Sequence, residues 1–126
     1  MNNYEHVNPN PKNQNVGDCV IRAIAIATDQ LWEDVYLDIC IKGYIMSDMP
    51  SSNNVWSSYL TEKGWKYHFL QNTCPFCYTI NDFCNEHKTG TYILATGSHV
   101  VCVKEGKYLD AWDSGDKIPM FYFSKD

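Results

Sequence analysis

The spacing of apolar residues changes character once along this chain, near Gly64, and that change limits the fold more than any other feature. Before it, apolar positions recur at helical intervals; after it, they alternate or form short β-prone runs. Val20, Ala23, Ile24 and Ala27 share one face of an Ala-rich stretch that opens at Cys19, which predicts a buried helix with Cys19 in its first turn. A second helix is expected over Leu31–Cys40, with Thr28 and Asp29 as cap candidates and Lys42-Gly43 as its stop. A third runs from Ser52 to Lys63, with Val55, Trp56, Tyr59 and Leu60 on one face and Gly64 as its C-cap.

Beyond Gly64 the segment Trp65–Leu70 alternates as a strand does. Thr79-Ile80-Asn81-Asp82 has capping-box spacing, with Asp in place of Glu, and opens a short helix. Thr91–Ala95 is another β-prone run. Val100–Val103 and Tyr108–Trp112 flank the Gly-containing turn Lys104-Glu105-Gly106-Lys107, and Pro119–Phe123 supplies a closing strand. Residues 1–16 hold six Asn and two Pro with little apolar content, and are expected to form an extended arm outside the core. Helices first and an antiparallel sheet second is the α+β pattern, in a single domain over residues 1–126.

Charge and leader content narrow the function. Ten basic residues against fifteen acidic give a net charge of −5, and no stretch gathers Lys or Arg into a phosphate-binding patch, so nucleic acid is not an expected partner. The start, Met1 to His6, lacks a basic segment followed by an apolar run, and no stretch reaches the ~18 apolar residues of a membrane span. The expectation is a cytoplasmic protein without membrane association. The six cysteines then read as thiols rather than as a disulfide framework.

One of those thiols sits where chemistry is favoured. A thiol attacks a carbonyl carbon as thiolate, and the free N–H groups and positive end of a helix lower its pKa; Cys19 is placed at such a start. Its base is expected at His99, which follows the small residues Ala95-Thr96-Gly97-Ser98 at the mouth of a strand. A carboxylate must hold the imidazole in one tautomer, and the tight hairpin brings Asp110 near His99. Asp113 is the rival, but strand alternation puts Asp110 and Trp112 on one face and Asp113 on the other. Asp18 and Arg22, four apart, are expected to pair across one helical turn and position the start of the helix.

These residues resemble a family. Gly17-Asp18-Cys19-Val20-Ile21-Arg22-Ala23 looks like the nucleophile helix of the papain-like cysteine peptidases, nearest to the C39-like group that trims bacteriocin leaders. His99-Val100-Val101-Cys102-Val103 is similar to their His-led strand, and Leu109-Asp110-Ala111-Trp112 to their Asn-led segment, with Asp in place of Asn; the order Cys, His, Asp also agrees. The resemblance implies a helical half carrying the Cys packed on a β half carrying the His and Asp, with the site in the groove between them. It further implies that Trp112 shields the His99–Asp110 contact from water. An oxyanion-hole amide is implied a few residues before the Cys, where the chain offers Asn13, Gln14 and Asn15; side-chain chemistry favours Gln14 and family spacing favours Asn13. The activity implied is thiol-dependent hydrolysis of a peptide or isopeptide amide in a peptide or protein substrate, with no cofactor; deamidation and acyl transfer use the same triad.

Two other readings stand beside it. A Cys opening an apolar helix is commonly core, which would leave a catalytically silent papain-like scaffold, or a zinc-stabilised module, that binds another protein through its surface of nine Tyr and four Trp. Cys74, Cys77, Cys84 and His87 have a C-x2-C-x6-C-x2-H spacing that could hold a tetrahedral zinc, although Cys84 serves equally as core and no metal is the preferred expectation. His6 and His68 have no convergent partners and are read as ordinary surface or core polar residues.

Overall fold

The computed structural model describes residues 3–125, so Met1 and Asn2 of the predicted arm, and Asp126, lie outside the description. The elements run β1 (Tyr4–His6), α1 (Cys19–Thr28), α2 (Trp32–Met46), α3 (Asn53–Glu62), β2 (Lys66–Phe69), α4 (Ile80–Glu86), β3 (Thr91–Ala95), β4 (Val100–Lys104), β5 (Lys107–Asp110) and β6 (Phe121–Ser124). The fold is mixed α+β: six strands form one open sheet in the order β1-β5-β4-β3-β6-β2.

Pleat alternation divides the core between the two faces of the sheet. Ile93, Ala95, Val100, Cys102 and Phe123 join Ile24 of α1, Ile39 of α2 and Trp56 of α3 in the larger cluster. The intervening residues Leu94, Val101 and Val103 pack with Ile80 and Phe83 of α4 in the smaller one. Trp56 ties α3 to the sheet by stacking on Phe121 at 5.8 Å between centroids. Among the described residues no helix is long and apolar enough to cross a membrane.

The sheet differs from expectation at its edge. Residues 4–6 are not a free arm: β1 pairs with β5, and this pair is parallel while the other strand pairs are antiparallel. The arm satisfies backbone groups that β5 would otherwise expose. Tyr108 N–H donates to the Asn3 carbonyl at 3.0 Å, Val7 N–H donates to the Asp110 carbonyl at 2.9 Å, and the Tyr4 ring lies 5.5 Å from that of Tyr108.

Helix ends also moved. Asp29 does not cap α2 but terminates α1 in the left-handed conformation, φ 54°. The helix α2 continues past Gly43 to Met46 and ends at left-handed Ser47. Gly43 marks a close approach rather than a stop: a Cβ there would stand 2.9 Å from the Asp48 carbonyl, because the chain folds back over the helix. The capping box of α4 forms as expected, Thr79 and Asp82 bonding reciprocally at 3.0 and 3.1 Å. Strand β5 ends at Asp110, where the side chain accepts the Ala111 N–H at 2.8 Å and turns the backbone out of the ladder, so Trp112 lies in the following loop.

Candidate active site

Three elements bring the predicted residues together. Cys19 is the first residue of α1, His99 immediately precedes β4, and Asp110 closes β5, which is hydrogen-bonded to β4. His99 Nε2 lies 2.6 Å from Asp110 Oδ2. That contact occupies Nε2 and leaves Nδ1 as the second ring nitrogen, and His99 stands near enough to Cys19 to act on its thiol. Cys19 is half-buried, His99 and Asp110 are buried, so the thiol keeps access to solvent while its partners are sequestered. Trp112 sits over the His99 ring, 4.6 Å between centroids, and is 41% exposed; it covers the imidazole from the solvent side.

The electrostatics follow from these contacts. Burial pushes the Cys19 thiol up, but the His99 hydrogen bond, the Val100 backbone N–H and the positive charges of His99 and Arg22 outweigh it, and its pKa falls below the ordinary thiol value. Burial pulls the His99 imidazolium down, yet hydrogen bonds and charge from Asp110 and Cys19 reverse this and raise it to about 9. For Asp110, burial is overcome by donors from His99, Ser114 and the Ala111 N–H, which hold the carboxyl below its usual value. The lowered thiol and the raised imidazole both favour a thiolate–imidazolium pair over a neutral one.

Behind the triad lies a buried ionic network. Arg22 donates to Asp18 one turn earlier, and its Nη2 stands 3.3 Å from Asp110 Oδ1. Asp18 Oδ2 further accepts Trp32 Nε1 at 2.9 Å and Asn10 Nδ2 at 3.2 Å. Ser114 Oγ donates to Asp110 Oδ2 at 2.6 Å and is fully buried. A buried carboxylate is tolerated only when paired and hydrogen-bonded, and each of these is. The rival Asp113 accepts the hydroxyl of Tyr108 and the Gly115 N–H instead.

Two expected groups are not assembled. Asn13 adopts a left-handed turn, φ 52°, and its side-chain oxygen accepts from Asn8 at 3.2 Å. Gln14 is exposed, and among the described residues no hydrogen bond holds either amide against Cys19. The zinc set does not converge either: among the described residues no three His, Cys, Asp or Glu side chains gather as a metal site. Cys84 is buried in the smaller core cluster, where burial pushes its thiol up to about 12, and His87 Nδ1 bonds the Phe83 carbonyl at 2.9 Å while its ring stacks on Phe83. Cys74 and Cys77 remain exposed in the loop before α4.

Beside the first turn of α1 a cleft of about 330 Å³ is lined by Gly17, Asp18, Val20, Trp32, Tyr36 and Pro50, among others. Its walls are largely apolar, and its lining includes the two residues that precede Cys19.

No family model, curated protein or solved structure matches this chain.

Ser114 and the link from Arg22 to Asp110 are the contacts of the candidate site that sequence reasoning missed. Ser114 lies in a Gly- and Asp-containing loop without periodicity, so nothing local distinguishes it. For Arg22 a signal existed: an arginine on the buried face of an apolar helix carries five donors, and one carboxylate does not exhaust them.

Proposed function

We propose that this protein is a thiol-dependent hydrolase of peptide or isopeptide amide bonds, built on a papain-like plan. The observation that carries the reading is the 2.6 Å contact of Asp110 with one ring nitrogen of His99, in a setting where His99 lowers the thiol of Cys19 at the start of α1. Thiolate attack on the amide carbonyl forms a tetrahedral intermediate; the His99 imidazolium gives its proton to the leaving amine, and an acyl-enzyme remains on Cys19. Water, deprotonated by His99, then releases the acid and restores the thiol. One oxyanion donor is the backbone N–H of Cys19 itself, free at the first position of α1. The apolar cleft beside Gly17 suits a peptide side chain near the attacked bond.

The test is turnover of a broad peptide library with acid quenching. An acyl adduct on Cys19, absent from Cys19→Ala, supports the reading. A folded wild-type protein that neither cleaves any member nor accumulates an adduct contradicts it.

A specific surface favours a second reading, binding of another protein. Leu37, Ile41, Tyr44 and Ile45 form a stripe on α2 and are 56 to 86% exposed, more apolar surface than one helix ordinarily leaves uncovered.

A further inference from the structure

The C-P-F-C segment is not used by the triad and is not a zinc site, yet it holds both exposed thiols of the described residues: Cys74 and Cys77 are exposed, Cys19 and Cys40 half-buried, Cys84 and Cys102 buried. Exposure and spacing together decide what such a pair does. Two thiols three residues apart can close a small disulfide ring if the chain between them turns and the backbone can adjust. Here it turns. Phe76 N–H donates to the Thr73 carbonyl at 2.9 Å, and the Thr73 hydroxyl returns a bond to the Phe76 carbonyl, so the chain folds back around Cys74-Pro75 instead of spanning the roughly 10 Å of an extended stretch. The Cys77 thiol already points back along the loop, 3.9 Å from the Pro75 carbonyl. Residues 70–79 form no helix or strand, so adjustment breaks no ladder. Both ends are fixed: Leu70 N–H bonds the Met120 carbonyl at 2.9 Å, and Thr79 is the cap of α4.

We propose that Cys74 and Cys77 form a thiol–disulfide exchange site whose substrate is a low-molecular-weight disulfide. One of the two thiolates attacks a sulfur of the small disulfide, forming a mixed disulfide and expelling one small thiolate. The second protein thiolate then attacks the mixed disulfide, closing Cys74–Cys77 and expelling the other. The protein loses two electrons and two protons, and the small disulfide becomes two thiols. A thiol needs access as well as a partner, which excludes Cys84 and Cys102 from this chemistry.

The experiment uses the full-length Cys19→Ala protein, so that the outcome does not depend on the assignment of Cys19. The reduced protein is equilibrated with mixtures of reduced and oxidised glutathione, acid-quenched, alkylated and mapped by mass spectrometry. The expected result is a loss of two titratable thiols, with the peptide carrying residues 74 and 77 two hydrogens lighter. Cys84 and Cys102 stay alkylatable. In Cys74→Ser and in Cys77→Ser the remaining cysteine should stop at a stable glutathione adduct. The proposal is overturned if the wild-type loop stays a dithiol in oxidised glutathione alone, or if its two cysteines accumulate separate adducts that never resolve. Stoichiometric zinc that protects both thiols from alkylation would also overturn it, since a metal would then be the ligand.

Discussion

Arg22 Nη2 stands 3.3 Å from Asp110 Oδ1, and this contact joins the helix that begins with Cys19 to the carboxylate that holds His99. Arg22 also pairs with Asp18, so one guanidinium bridges two buried carboxylates and fixes the start of α1 relative to the end of β5. The pairing is costly to break from one side because it strands a charge in the interior. Asp18→Ala removes the partner of Arg22, Trp32 and Asn10 at once. We expect a loss of about 3–5 kcal/mol in urea unfolding. A loss below about 1 kcal/mol would show that the network is not structural.

Asp110→Asn keeps the shape and removes the charge. Without it, His99 loses its largest source of proton affinity and its pKa should move down from about 9 toward the ordinary imidazole value. The Cys19 thiolate loses its cationic partner in turn, and alkylation of Cys19 at neutral pH should slow at least about tenfold, one pKa unit's worth. The ring resonances of His99 followed by NMR against pH provide the check; an unchanged midpoint contradicts the coupling.

The pH dependence of stability has a definite sign. Folding raises the pKa of His99 from about 6.5 in an unfolded chain to about 9. Its contribution is therefore complete below about pH 6.5 and is lost as pH rises through about 9. Asp110 is shifted down, so its contribution is complete above about pH 4 and is lost as pH falls through its lowered folded value. The lowered Cys19 thiol contributes with the opposite sign over the same range, so the His99 term is read in a Cys19→Ala background, where urea midpoints should fall from about pH 6 to about pH 9.5 and fall less when His99→Gln is added. Equal slopes in the two proteins would contradict the raised His99.

Ser114→Ala deletes a 2.6 Å bond to the ionised Asp110 in a fully buried setting. Hydrogen bonds to charged groups contribute about 1.5–3 kcal/mol, and that is the destabilisation expected in urea unfolding. Because His99 retains its own bond to Asp110, Cys19 alkylation should slow much less than in Asp110→Asn. A stable variant with unaltered midpoint would show that water replaces the hydroxyl.

Much of this architecture was legible in the residues themselves. The helical face of Val20, Ala23 and Ile24, the Thr79–Asp82 capping box and the hairpin around Gly106 are local signals, each carried by residues a few positions apart, and each formed where expected. His99 and Asp110 met because one tight turn links their strands. What stayed hidden depends on distant partners. The pairing of β1 with β5 joins residues more than a hundred positions apart through backbone groups that any sequence supplies. Gly43 had the composition of a helix stop but serves a close approach to Asp48 that only the tertiary chain path creates. Gln14 was expected as the oxyanion amide from its side-chain chemistry and Asn13 from family spacing, and here Asn8 bonds the Asn13 side chain and the Gln14 backbone carbonyl.

The central claim is that Cys19 is an activated thiolate held by His99, and competitive alkylation tests it most directly. Cys74 and Cys77, the exposed thiols of the described residues, are the natural competitors for the reagent. A limiting amount of iodoacetamide, followed by peptide mapping, should modify Cys19 first and at least about tenfold faster than either, with the advantage abolished in His99→Ala. Alkylation that falls mainly on Cys74 and Cys77, or a Cys19 rate unchanged by loss of His99, would contradict the account.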